Sequence, residues 1–549
     1  MRRLFRRRPV TGSLGSEGEI HGGDTLGRHL KLRDLTFFGI AAIIGAGSFS
    51  SMGQACFSGG PGVVFLFIMC AVACGFTALC YAEFAARVPT SGSAYTYAYV
   101  SFGELFAWII GWALLMEYSI GNIYVAFSWS GYFTNLLDGL GMHMPEWLTT
   151  NYKSAHAAAL AGTAGEGISA WNSAPMLGGL RIIFDLPAVT INALITWLVY
   201  RGVKESRNAS NAMVMLKLAV IVLVVVVGIT YVDIDNWTPF MPNKFGGVMA
   251  GVSAVFFAYI GFDAVSTLAE EAKDPQRDLP RGMILSLVIC TVVYIALALV
   301  LTGMVSYKQL GVSDPLAEVF NLRGVKWMLF IVSIAAVIAM TSVMLVFQLG
   351  QPRIWMSMSR DGLLPKRFAS IHPKYKTPGF STIVTGLVVG IPIFFTDENF
   401  ILDFTSIGTL FAFVLVCGGV LLMPHREKTP GRFHLPYING KFIVPLIGAV
   451  ALALIITYDP NHFHRIFGRT GFPVNVPMLV FYLLCAVVGI YSFIRAWSLI
   501  PVLGLISCCY LLTGMAVSNW KWFGIWLVVG LVCYFAYGFS HSRLARAAK

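Results

Sequence analysis

Lys217 stands without another charge in the stretch NAMVMLKLAVIVLVVVV (211–227). In a helix that crosses a bilayer such a lysine is costly, and a functional role is its first reading. Removal from water disfavours the ammonium form, so the side chain can gain and lose a proton. Snorkelling of the amine to the membrane surface is the alternative, since the long stem allows it. Two carboxylates are placed in the same way, Glu117 in GWALLMEYSIGN (111–122) and Asp263 in FFAYIGFDAVSTLAEE (256–271). Each can bind a cationic group, serve proton coupling, form a structural hydrogen bond, or stay protonated as a donor. Glu83, Glu270 and Glu271 lie at the ends of apolar runs, where pairing with Arg or Lys is the expectation.

Small residues mark a second kind of site. GIAAIIGAGSFSSMG (39–53) and the 256–271 stretch both carry Gly, Ala and Ser in mid-run. Glycine-interrupted hydrophobic segments at corresponding places in two halves of a chain point to a transporter site; close helix packing is the other use of such residues. A broken helix presents free amides and the positive end of a dipole to an anion. The carbonyls at the end of the preceding half-helix are free to accept from a cation. An amino acid carries both charges, and each is expensive to leave unpaired away from water. Gly45, Ala46, Gly47 and Ser48 are small enough for such a ligand to approach the backbone.

The elements that hold these groups follow from composition. Of the 549 residues, 57% are hydrophobic and 12% are charged, and mean hydropathy is +0.72. Soluble domains carry about 25% charged residues, so this chain requires a bilayer as solvent. A span of about 30 Å takes about 20 helical residues. Apolar runs of that order occur at 36–55, 62–86, 103–136, 182–200, 209–231, 246–268, 283–305, 325–350, 379–396, 400–423, 442–458, 476–494, 498–517 and 520–538. The pattern predicts an all-α membrane protein of about fourteen transmembrane helices, with twelve or thirteen left open where the last six runs crowd together. Barrel strands alternate apolar and polar residues and give no such runs. The loop at 137–181 reads as a partly ordered cap, and 353–378 as a membrane-surface connection with a short interfacial helix.

The net charge of +12 calls for no nucleic acid. Most of the 39 Lys and Arg fall in the two tails and in alternate loops, the bias that fixes topology with both termini cytoplasmic in a multi-pass cell-membrane protein. The basic start, MRRLFRRRPV, is followed by polar and Gly-rich sequence and reads as a cytoplasmic tail that can touch anionic lipid. The ten cysteines lie in apolar runs or, for Cys56, at the edge of one, so no disulfide framework is implied. The ten histidines lie in tails or loops, and His462 with His464 reads as solvated loop in preference to a metal pair. The runs hold no nucleophile–base set, so no enzyme is expected, and no cofactor beyond a coupling ion.

Four stretches then carry a resemblance: GIAAIIGAGSF (39–49), YAEFAARVPTSGSAYTYAY (81–99), FFAYIGFDAVSTLAEEAKDPQRDLPRGM (256–283) and RDGLLP (360–365). Together they resemble the amino acid–polyamine–organocation superfamily, most closely its cationic amino acid transporter family. WFGIWLVVGLVCYFAYGFSHS (522–542) fits the fourteen-helix members. Ser48–Phe49 departs from the usual GAGIF, beside the expected substrate carboxylate. The resemblance implies a LeuT-like 5+5 inverted repeat with additional C-terminal helices. The divisions expected are a basic tail at 1–35, a ten-helix transport core at 36–424, further helices at 425–540 and a tail at 541–549. It also implies that Gly45, Ala46, Gly47 and Ser48 cradle the substrate carboxylate, that the carbonyls of Ile43, Phe257 and Ile260 receive its ammonium, and that Phe257 closes over it as a gate. Glu117 and Asp263 match acidic positions of the family, and Lys217 takes the place that sodium fills in sodium-coupled relatives, which makes the proton the expected coupling ion. The function implied is secondary active transport of L-amino acids, either cationic (Arg, Lys, ornithine) or small and neutral (Ala). Exchange of one amino acid for another is a variant, and a transport-incompetent sensor is the reading from another class. Beyond substrate and membrane lipid, the resemblance leaves room for a small accessory membrane subunit.

Overall fold

The computed structural model describes residues 30–544 except 46, 89, 91, 163–165, 203–205, 270, 313, 424–431, 459–465 and 467–475, and in addition Arg6. Ala46, Glu270, His462 and His464 therefore lie outside the described residues. The rest is almost wholly helical; a hairpin of Met176–Leu177 with Leu180–Arg181 is the sole sheet among the described residues.

The helices that matter for the site are α1 (Leu32–Ile43), α2 (Val63–Arg87), α3 (Ser93–Ser101), α4 (Glu104–Gly139), α5 (Leu186–Arg201), α6 (Ser206–Ile229), α7 (Val252–Phe257), α8 (Pro275–Met304), α9 (Lys326–Arg360), α10 (Gly379–Ile393), α11 (Glu398–Leu422), α12 (Leu499–Thr513) and α13 (Val517–Cys533). Among the described residues, seven helices are long and apolar enough to cross a membrane. An eighth span is the pair Lys244–Ala250 and Val252–Leu268, bent by 45°. Five shorter apolar helices accompany them, so the chain is a multi-pass membrane protein. In hydrocarbon a helix satisfies its own backbone, which is why the apolar runs take this form.

Their ends carry ordinary stop and start signals. Pro275 sits in the first turn of α8, where its missing N–H is no loss. The Asp185 carboxylate caps α5 by accepting from the Ala188 amide at 3.0 Å. The run expected to end at 350 continues as helix to Arg360, through Pro352. A proline removes one intrahelical bond only, and well-packed membrane helices tolerate it. The following loop is correspondingly short, with a 3₁₀ turn at Lys366–Ala369. The loop beyond α4 holds two helices, Tyr152–Ala161 and Glu166–Ser173, around a small core of Ala155, Ala170, Ala174 and Ile183.

Helix α4 lies at the centre: 89% of its apolar window is buried, against 11% for Val476–Arg495 at the periphery. It packs along α9 and α11, while α8 lies along α1 and α2. The peripheral pair Ile443–Tyr458 and Val476–Arg495 exposes Leu446, Val450, Val480 and Leu483, as lipid-facing helices do. Of the polar residues singled out above, Lys217, Glu117, Asp263 and Glu83 are buried.

Candidate functional site

The first break begins where α1 stops. Ile44 turns to extended backbone (φ −81°, ψ 102°), and the chain resumes as a π-helical turn, Gly47–Ser51. The Gly45 carbonyl accepts from the Ser48 amide, the Phe49 amide and the Ser48 hydroxyl, each at 3.0 Å. Two glycines here are required by space. A Cβ on Gly45 would stand 2.2 Å from Val343 Cγ2, and one on Gly47 would stand 2.6 Å from Ala258 Cα. Gly47 therefore holds the first break directly against the second, and the Ser51 hydroxyl bridges them by donating to the Gly47 and Ala254 carbonyls at 3.0 and 3.1 Å.

The second break follows α7. Gly261 has φ +115°, a region that favours glycine, and its missing side chain makes room for Ala42 of α1. A 3₁₀ turn, Phe262–Leu268, then replaces the α-helix. Phe257 is buried and meets Tyr124 of α4 edge to face, with centroids 4.6 Å apart. The Phe257 carbonyl accepts from the Ile260 amide at 3.1 Å. The Ile43 carbonyl accepts from the Tyr294 hydroxyl at 2.8 Å, which leaves one lone pair for another donor. Ile43, Gly45, Gly47, Ser48, Phe257 and Ile260 are all buried at the two facing breaks.

Lys217 reaches the same place from α6. It is fully buried, and its Nζ donates to the Ile44 carbonyl at 2.6 Å, the Ala41 carbonyl at 3.1 Å and the Ser342 hydroxyl at 3.1 Å. The amine thus does not snorkel. It caps the end of α1, where carbonyls have no intrahelical partner. Three acceptors complete the donor capacity of an ammonium.

Glu117 and Asp263 lie within electrostatic reach of each other. Both are buried; Glu117 Oε2 and both Asp263 carboxylate oxygens lack a hydrogen-bonding side chain. The Thr409 hydroxyl serves the Glu117 carboxyl, and backbone amides at the start of the 3₁₀ turn face Asp263. Tyr81 of α2 and Tyr118 of α4 lie within electrostatic reach of both carboxylates, and neither hydroxyl has a hydrogen-bond partner among the described residues. The Tyr81 ring is held by Tyr97 (5.9 Å), Phe262 (6.1 Å) and Phe413 (5.7 Å). Buried polar groups are ordinarily satisfied, so this concentration of unpartnered ones among the described residues sets the cluster apart from the rest of the interior.

Elsewhere Arg353 pairs with Glu271 at 2.5 Å, and Arg87 pairs with Glu83 at 2.6 Å. Leu30 and Ala272 form an isolated parallel bridge. Ser93, at the start of α3, meets Ser266 hydroxyl to hydroxyl at 2.8 Å. Among the described residues no group of three or more His, Cys, Asp or Glu could hold a metal ion.

Sequence reasoning missed Tyr81, Tyr97, Tyr118, Tyr294 and Thr409. Tyr81 and Tyr97 fall inside the quoted 81–99 stretch and Tyr118 adjoins Glu117, so adjacency to singled-out residues was the available signal. Nothing local marks Tyr294 or Thr409, which reach the site only through packing.

The family model described as amino acid permease matches residues 30–487, and the one described as the C-terminus of that permease matches 498–542. The chain is 37% identical to the branched-chain amino acid permease BcaP of Bacillus subtilis (strain 168), over 98% of its own length and 99% of the relative's. It is equally 37% identical to the methylthioribose transporter of the same organism, over 99% and 100%. Cationic amino acid transporter 2, vacuolar, of Arabidopsis thaliana is 30% identical, over 100% and 94%.

Proposed function

Because the chain belongs to the amino acid permease family, we propose that it is a proton-coupled secondary transporter of L-amino acids working by alternating access. The carrying observation is the triple hydrogen bond of Lys217 to Ala41, Ile44 and Ser342 at the end of α1. In this reading the amino acid sits between the breaks at Ile44–Ser48 and Ala258–Gly261. Its carboxylate takes the amides and dipole of the Gly45–Ser48 turn, and its ammonium takes the carbonyls of Ile43, Phe257 and Ile260. Phe257 closes over it. Loss of the Lys217 proton loosens the end of α1 and so ties protonation to movement of the broken helix.

In this reading the chain is a 5+5 inverted repeat with about fourteen spans and both tails cytoplasmic. The Arg353–Glu271 pair and the Ser93–Ser266 contact then belong to the closed inner side. The side chain of the substrate points into the Glu117–Asp263 compartment, which suits cationic amino acids and accommodates small neutral ones while its carboxyls stay protonated. Uptake of labelled arginine, alanine and leucine into proteoliposomes, with and without an inward proton gradient, tests the reading. Gradient-driven accumulation of at least one is expected; folded protein that moves none of them is not an amino acid transporter.

A further inference from the structure

Glu117 and Asp263 are buried within electrostatic reach of each other, and among the described residues no cationic side chain hydrogen-bonds either carboxyl. Among the described residues, the titratable and charged groups facing the pair are Cys74 and Tyr81 from α2, Tyr97 from α3 and Tyr118 from α4, with Arg353 of α9 within reach of Tyr118. Of these the one cation, Arg353, is engaged by Glu271 and by the Leu349 carbonyl. Lys217 is turned to Ala41, Ile44 and Ser342. Two neighbouring carboxylates that are both ionised repel one another, and uncompensated charge in a membrane interior is strongly disfavoured. With no cation bound, protons on the carboxyls are what can cover that charge.

We infer that this compartment exchanges a carboxyl proton for the cationic end of a substrate, so that a guanidinium or ammonium side chain displaces a proton on binding and a neutral side chain does not. The inference rests on the transport reading above and adds its charge accounting. On entry of a guanidinium one carboxyl O–H bond breaks, the proton leaves to water, and the carboxylate accepts N–H bonds from the planar cation. The Tyr81 and Tyr118 hydroxyls, which have no hydrogen-bond partner among the described residues, are donors that can turn toward the new carboxylate. Total charge in the compartment is the same before and after. It follows that one turnover moves the same charge with arginine as with a neutral amino acid; without the exchange, arginine would carry one charge more.

Calorimetric titration of the purified full chain, in two buffers of different ionisation enthalpy, reads the proton directly. L-Arginine and L-citrulline share length and shape and differ in side-chain charge. The expected result is release of about one proton per bound arginine and none per bound citrulline. Arginine that binds without proton release, or citrulline that releases as much as arginine, overturns the inference. So does protein that binds leucine or citrulline and rejects arginine. Absence of binding by every amino acid tried removes the transport reading itself, a result separate from the first three. The ratio of charge to labelled substrate in voltage-clamped proteoliposomes is the second arm: equal ratios for arginine and alanine support the exchange, and a ratio higher by one charge for arginine refutes it.

Discussion

Trp112 and Trp526 hydrogen-bond each other's backbone. Nε1 of Trp112 donates to the Trp526 carbonyl at 2.9 Å, and Nε1 of Trp526 donates to the Trp112 carbonyl at 3.0 Å, with the rings stacked 4.8 Å apart. Trp108 adds a bond to the Gly530 carbonyl at 2.8 Å. Between lipid-facing helices there is no hydrophobic drive to associate, so such bonds and close packing hold them. The pair therefore fastens α13 to α4, the helix that carries Glu117. Trp526→Phe should weaken this docking by about 1 kcal/mol, since interhelical bonds in membranes are worth roughly that. Gly530→Leu should do more, because even a Cβ there would meet Trp112 Cδ1 at 2.4 Å. A fall in the thermal midpoint in detergent checks both, against Val528→Ala on the exposed face, which should leave it unchanged.

Lys217 donates to three acceptors at the end of α1, and a proton is what it has to exchange there. Lys217→Met should abolish accumulation driven by an inward proton gradient in proteoliposomes. Lys217→Arg should not restore it, because a guanidinium keeps its proton throughout. The sign with pH follows from the same proton. Loading from outside requires protonation, so uptake should fall as external pH rises, whereas residual facilitated flux through the Met variant should be flat. Accumulation by the Met variant at wild-type level would remove this residue from the coupling scheme.

Gly45 and Gly47 face different obstacles, and their variants should differ. The obstacle at Gly45 is Val343 Cγ2, a side-chain methyl; at Gly47 it is Ala258 Cα, part of the backbone. Both alanine variants should lose at least about tenfold in uptake, which corresponds to about 1.4 kcal/mol. Val343→Ala should recover much of the loss in Gly45→Ala, because it removes the obstacle. No single substitution should recover Gly47→Ala, since the two breaks themselves are forced apart. Initial uptake rates for the single and double variants decide this.

The helical runs were legible because about 20 apolar residues in a row have few other uses. The breaks were legible at Gly45 and Gly47 and in the 256–271 stretch for a related reason: small residues in mid-run leave a trace. What local sequence could not show is which polar groups converge. Lys217 marks itself as costly, yet its partners Ala41, Ile44 and Ser342 lie 176, 173 and 125 residues away. Tyr81 is one tyrosine among 21, and its place beside Asp263 depends on how α2 packs against the second break. The extension of α9 past Pro352 was hidden for the opposite reason, since proline is a stop signal whose cost tertiary packing can override.

Glu104 gathers the two ends of the chain at the start of α4, and its removal should show that they act as a unit. Its carboxylate accepts from the Tyr534 hydroxyl at 2.9 Å, the Ser542 hydroxyl at 2.5 Å and the Tyr99 hydroxyl at 3.3 Å. Its amide donates to the Arg6 carbonyl at 3.0 Å. The residue is fully buried, as is Ser542. Glu104→Ala leaves the buried hydroxyls without their acceptor, at about 1–3 kcal/mol for each group left unsatisfied. Ser542→Ala and Tyr534→Phe each delete one donor and leave the carboxylate its remaining partners, so each should cost less than Glu104→Ala. Because all three share one set of bonds, the double variant Glu104→Ala with Tyr534→Phe should be less damaging than the two single losses added together. Thermal midpoints of the four proteins in detergent measure the coupling. Strict additivity would show that Tyr534 stabilises α13 independently of Glu104.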